Sequence, residues 1–321
     1  MRIFRLSCLG LVLAAAFASA YVPAGAAGQA AGTAGQTVQE RLGYPADARL
    51  LIIHADDLGM SHSVNRATFA ALENKWITSS SILVPCPWFP EVAQWARTHQ
   101  DADLGIHLAL TSEWTTFRWG PVSGRDLVPS LLDKDGYMPL LETTAAAQAR
   151  PEEAERELRA QIDKAKAAGI RITHIDSHMG TLFQSAALFD VFRRLGSAYG
   201  VPPLIEEIGD RGGTATPWLK GVQKDALVTE VVSLSPGVPP DQWESAYEEI
   251  LSPLGPGVYQ LIVHLGFDDD EMRGATSDHP DWGAAWRQSD LDVMKSDKFR
   301  SFLREQKFVL IGWGDLGKAR K

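Results

Sequence analysis

Two aspartates stand side by side in HADDLGMS, residues 54–61, directly after the apolar run LLII. Adjacent carboxylates repel, and a partly buried one must meet a cation or keep its proton. Asp56 and Asp57 share their setting with other residues. His107 in LGIHLAL, the group His174, Asp176 and His178 in THIDSHMGT, and His264 in LIVHLGF also stand at or near the ends of short apolar runs. A single such histidine is ordinarily a hydrogen-bonded core residue, but scattered core histidines have no reason to collect at strand ends. An aspartate with two or three histidines is a mixed oxygen and nitrogen donor set. It suits a divalent ion such as zinc, nickel or manganese, and completion by water admits magnesium. One aspartate of the pair would bind the ion. The other, its charge offset by that ion, would act as a base on a water whose pKa the ion lowers.

These residues need a scaffold that brings distant segments to one face. Residues 50–55, 77–84, 104–110, 170–176, 203–206, 227–234, 258–265 and 308–313 read as short buried strands. Between them, residues 62–75 place Val64, Ala67, Ala71 and Leu72 on one helical face, and residues 89–99, 186–199, 242–250 and 291–305 also read as helices. A further helix starts at Pro151-Glu152-Glu153, with proline first and acids in the first turn, and Gly169 ends it. Alternating strand and helix means a parallel sheet with crossover helices. The expected fold is therefore α/β, a distorted (β/α) barrel of about seven or eight parallel strands in a single domain. Sites in such barrels lie at the C-terminal ends of the strands, where the aspartates and histidines stand. Residues 111–150, aromatic and punctuated by glycine and proline, are too long for a plain connection; such a loop is functional or a lid.

The chain opens with Arg2 and Arg5, an apolar stretch over residues 6–17, and Ala18-Ser19-Ala20. Residues 1–20 therefore read as a secretory signal peptide with an A-x-A cleavage site. Residues 21–43, rich in alanine, glycine and glutamine, read as a flexible linker, and residues 44–321 as the folded domain. The mature chain is expected to be exported, to the periplasm or outside the cell. Cys86 is then its only cysteine, so no internal disulfide forms and the core must carry the fold. With 31 lysines and arginines against 40 aspartates and glutamates, the net charge of -9 argues against nucleic acid as a partner. No later segment is long and apolar enough for stable membrane insertion.

Taken together, HADDLGMS, GIHLAL, THIDSH and IVHLGF, in this order, resemble the YdjC-like (ChbG) carbohydrate deacetylases, relatives of the polysaccharide deacetylases. The resemblance runs from residue 50 to about residue 316. It implies a distorted (β/α) barrel and a metal-dependent hydrolase that removes N-acetyl groups from an amino sugar or oligosaccharide. One divalent ion, magnesium or zinc, would serve it. Carried across the motifs, Asp57, His107 and His178 are the metal ligands, Asp56 is the base, and His264 is the acid that protonates the leaving amine. Three positions depart from the family pattern: Leu58 where phenylalanine is common, Met179 where a further histidine is common, and Leu265 where proline is common. They bear on the pocket around the metal and so on the sugar. Relatives mostly lack a signal peptide, which also points to a different glycan.

Strand alternation puts His174, Asp176 and His178 on one face. Asp176 and His174 are thus candidates to orient the site or balance its charge, as is His54, which shares a face with Asp56. Trp114, Trp119, Trp282 and Trp286 lie in two segments rich in glycine and proline, where they either stack on sugar rings or pack in the core. His62 and His279 lie in loop-like contexts, and DDDEMRG, residues 268–274, reads as a solvated loop. Two other functions stay open: a metal-dependent esterase or phosphoesterase on the same scaffold, and a sugar-binding protein without turnover. A binder would need neither Asp56 nor His264.

Overall fold

β1 (Arg49–Leu58) is buried at every position after Arg49. A parallel strand covered on both faces reads as a continuous apolar run, as residues 50–53 do before His54 and the two aspartates. The computed structural model describes residues 35–207 and 226–320; residues 1–20, read above as a signal peptide, and most of residues 21–43, read as a linker, lie outside the described residues. Six further strands join β1: β2 (Ser79–Ile82), β3 (Leu104–Leu108), β4 (Ile172–Ser177), β5 (Glu230–Val232), β6 (Gly257–Val263) and β7 (Phe308–Leu310). All pairings are parallel, in the order β4-β3-β2-β1-β6-β5, with β7 beside the start of β1. Residues 202–207 link the two ends of this path. Ile175 N–H donates to Pro202 O, and Glu207 N–H donates to Val228 O. The result is one domain, a distorted (β/α) barrel. The segment 203–206, read as a full strand, contributes only single bridges at Pro203 and Glu206.

The helices flank the sheet: α1 (Val38–Arg41), α2 (His62–Glu73), α3 (Phe89–Ala96), α4 (Glu142–Gln148), α5 (Pro151–Ala167), α6 (Ala186–Tyr199), α7 (Trp243–Leu251), α8 (Asp270–Ala275), α9 (Ala284–Met294), α10 (Asp297–Glu305) and α11 (Trp313–Leu316). One core lies between β2–β4 and α3, α5 and α6, with Ile106, Leu108, Ile175, Leu158 and Phe192 at its centre. A second lies between β1, β6 and α2, α7, α9 and α10, around Ile53, Leu261, Tyr247 and Phe299.

Four departures from the sequence reading have local causes. Residues 291–305 form two helices, because the Ser296 hydroxyl accepts from Phe299 N–H and starts a new one. The run at residues 268–274 is not a solvated loop. Asp269 caps α8, and its carboxylate with that of Glu271 accepts from the Ser63 hydroxyl. Inside the stretch read as linker, Thr37 and Glu40 form a capping box that starts α1, and Val38 and Leu42 pack on the barrel floor. The long segment 111–150 is tied down by one face of α5. Glu153 accepts from Ser130 N–H, Glu157 from Val122 and Ser123 N–H, and Gln161 pairs with both backbone groups of Ala109.

Candidate metal centre

Successive strand residues point to opposite faces, so a regular β1 would separate Asp56 from Asp57. It is not regular there. The register with β2 shifts between Ala55 and Leu58, and Asp57 has φ +67. This left-handed residue turns both carboxylates toward the barrel axis. β3 and β4 supply the facing side. His107 and Asp176 are partners in register, and the His107 Nδ1–H donates to Asp176 Oδ1 at 2.7 Å. His178 lies one residue past β4, where a tight turn with Met179 at φ +51 and Gly180 at φ +63 brings it back over the centre.

Asp57, His107 and His178 converge. Asp57 Oδ1 lies 3.5 Å from His107 Nε2 and 3.5 Å from His178 Nδ1. It is fully buried and accepts no hydrogen bond. A buried carboxylate oxygen without a partner is costly, so this one is aimed at something absent from the protein itself. The opposite nitrogen of each ring is engaged by a carboxylate: Asp176 behind His107, and Glu113 Oε2 behind His178 Nε2 at 2.9 Å. Such carboxylate–histidine pairs orient metal-binding rings. The other oxygen of Asp57 accepts from Arg287 Nη2 at 2.7 Å. The three inward atoms lie within 4.8 Å of one another. Two nitrogens and one oxygen at this spacing fit a divalent ion.

Asp56 sits beside this set. His54 Nε2 stands 3.2 Å from its Oδ1, and the Ser81 hydroxyl donates to the same oxygen at 3.4 Å. Its Oδ2 lies 3.8 Å from both His107 Nε2 and His264 Nε2. The paired aspartates therefore face a buried cation each within the protein, His54 for Asp56 and Arg287 for Asp57. Burial would raise the Asp57 carboxyl, but Arg287 and the surrounding histidines hold it well below the usual range. Burial would lower His54 and His107; Asp176 and Asp56 raise His54 to about 9, and Asp56, Asp176 and Asp57 raise His107 to about 10. His174 lies deeper, stacked on Trp313, and burial pushes it well below its ordinary value. Gly105 is required there, because a Cβ would collide with the His174 ring.

His264 directly follows β6, packed against Trp286 with ring centres 5.0 Å apart. Its backbone N–H donates to Asp290 Oδ2 at 2.8 Å. An ordinary pKa near neutrality is not what it has: burial pushes it down to about 4, so the ring is neutral near pH 7. Asp290 also accepts from Trp243 Nε1 and the Tyr247 hydroxyl, and burial pushes its carboxyl up to about 6.

Arg287, Glu113 and Asp290 escaped the sequence reading. Arg287 and Asp290 stand three apart on α9, and both are buried. A charged pair on the apolar face of a helix was the signal that could have found them. Of the four tryptophans, Trp114, Trp119 and Trp286 are buried and pack in the core, while Trp282 is half-buried beside His264. His62 pairs with Glu91 and stacks on Trp88, and His279 lies against Trp114, both apart from the centre.

The family model described as YdjC-like protein matches residues 50–305. The chain belongs to the YdjC-like family. It is 35% identical over 83% of its length to a carbohydrate deacetylase of Thermus thermophilus, covering 93% of that protein. It is 29% identical over 83% of its length to a carbohydrate deacetylase of Brevibacillus brevis, covering 99%. A solved structure from Enterococcus faecalis, described as a cellobiose-phosphate cleavage protein, superimposes with a TM-score of 0.69 at 23% identity, over 84% of this chain and 99% of that one. This YdjC-like chain shares its fold. Among its described residues no helix is long and apolar enough to cross a membrane.

Proposed function

We propose that the protein is a carbohydrate deacetylase that uses one divalent ion, magnesium or zinc, to remove an N-acetyl group from an amino sugar or oligosaccharide. The observation that carries the metal is the unsatisfied Asp57 Oδ1 between His107 Nε2 and His178 Nδ1. Those three residues would hold the ion, which would polarise the acetyl carbonyl and lower the pKa of water beside it. Asp56, held from behind by His54, takes the proton of the attacking water on Oδ2. His264 begins neutral, so it first accepts that proton, across 3.8 Å from Asp56 Oδ2, and delivers it to the departing nitrogen. The relatives' names favour a deacetylase over a phosphoesterase. Export belongs to this reading and rests on the leader at residues 1–20 alone.

The deciding experiment is acetate release from a panel of N- and O-acetylated sugars, before and after chelation. Release from an N-acetyl sugar that chelation abolishes and zinc or magnesium restores is the expected result. Turnover that survives complete chelation would defeat the metal role, and release from O-acetyl sugars alone would make the protein an esterase.

Metal uptake should also release a proton. In the metal-free protein His107 carries one near neutral pH, since its pKa is about 10, and Nε2 must give it up to bind. The sign is that affinity rises with pH up to that value, about tenfold per unit for one proton. Zinc titrations in buffers of different ionisation enthalpy measure it; pH-independent affinity would contradict the assignment of His107 as a ligand.

A further inference from the structure

We propose that His54 is a positioning residue for the reaction: a doubly protonated imidazolium that holds Asp56 by one oxygen and, through Asp176, holds the ring of His107. This rests on the reading of Asp56 as base and His107 as ligand, and it extends that reading to the polar floor beneath both.

The protonation follows from the hydrogen-bond pattern. His54 is completely buried. Its Nδ1 lies 3.1 Å from the Ser79 hydroxyl, which donates to Asp103 Oδ1 at 3.1 Å. A hydroxyl has one hydrogen. Spent on Asp103, it leaves Ser79 as the acceptor from Nδ1–H. The Nε2 atom faces Asp56 Oδ1 and Asp176 Oδ2, each at 3.2 Å. Ionised carboxylates only accept, so Nε2 also donates. Ser81 reinforces the arrangement, 3.0 Å from His54 Nε2 and 3.4 Å from Asp56 Oδ1. Both ring nitrogens are therefore donors.

Two consequences reach the centre. Asp56 has its Oδ1 spent on the floor, so only Oδ2 faces the reacting space. Asp176 is shared: Oδ2 meets His54, and Oδ1 accepts from His107 Nδ1 at 2.7 Å, which turns His107 Nε2 toward Asp57. A single buried cation thus sets the angle of the base and of one metal-facing ring. A neutral amide in its place reaches one carboxylate and leaves the other free to rotate.

The test pairs one spectrum with one variant. Nitrogen-15 spectra of the zinc-saturated wild type near neutral pH should include a buried ring with both nitrogens protonated, and zinc-saturated His54→Gln should lack that signal. At saturating zinc, folded His54→Gln should keep KM for the N-acetyl sugar and lose about 10- to 100-fold in kcat. A neutral signature for the His54 ring overturns the proposal, and does so even where the variant fails to fold. So does a His54→Gln enzyme with wild-type kcat. Wild-type turnover untouched by chelation would overturn the underlying reading of His107, and this inference with it.

Discussion

Asp56→Asn should bind zinc as the wild type does and turn over about 100- to 10,000-fold more slowly, the usual worth of a general base. Asp57→Asn should lose the ion and the activity together, and His178→Ala should do the same. The geometry separates the two aspartates by what each oxygen has left to give. Asp57 has one oxygen committed to Arg287 and one buried with no partner, between two imidazole nitrogens. Asp56 has one oxygen committed to His54 and Ser81, and its other oxygen lies 3.8 Å from both His264 Nε2 and His107 Nε2. Asp56, His107 and Asp176 also lie close enough to share an ion, but Asp176 Oδ1 is already spent on His107 Nδ1. Elemental analysis beside kcat decides the matter. An Asp56→Asn protein without metal, together with an Asp57→Asn protein that keeps it, would reverse the two roles.

Most of the site was legible because strand ends announce themselves. Short apolar runs that stop at Asp56, His107, Asp176 and His264 place those residues at the mouth of a parallel barrel without any tertiary information. The alternation of His174, Asp176 and His178 also predicted a shared face, and His174 and Asp176 do meet, 3.8 Å apart. Backbone irregularity was not legible. Asp57 joins Asp56 only because it takes a left-handed conformation at a register shift, and a period-two reading sends it the other way. Groups delivered by other elements were equally hidden. Arg287 and Asp290 arrive on α9 and Glu113 on the segment after β3, and none sits in a motif of its own. Their partners are 230, 26 and 65 residues away in the chain. Propensity and periodicity act over a few turns, so contacts of that separation appear only once the barrel has closed.

His264→Ala should leave zinc content unchanged and lower turnover of an N-acetyl sugar far more than that of an activated ester with a good leaving group. An amine leaves a tetrahedral intermediate poorly until it is protonated, whereas an activated alkoxide or phenoxide departs without help. The loss on the amide should be about 100-fold or more, the lower end of what a positioned acid contributes, and the ester should lose only a small part of that. Among the described residues, no group placed to share an ion includes His264. It touches the centre through Asp56 Oδ2 at 3.8 Å, its ring rests on Trp286, and its backbone is held by Asp290. Burial keeps the ring neutral in the free enzyme, with a pKa of about 4. On the proposed mechanism its proton is then acquired during the reaction, which ties the acid step to the base step. That coupling has its own signature: in an Asp56→Asn background, His264→Ala should cost much less than it does alone, because the proton it would relay is no longer collected. The ratio of amide to ester rates in the four proteins measures both effects. Equal losses on amide and ester would leave His264 as a group that orients the substrate, and fully additive losses in the double variant would separate it from Asp56.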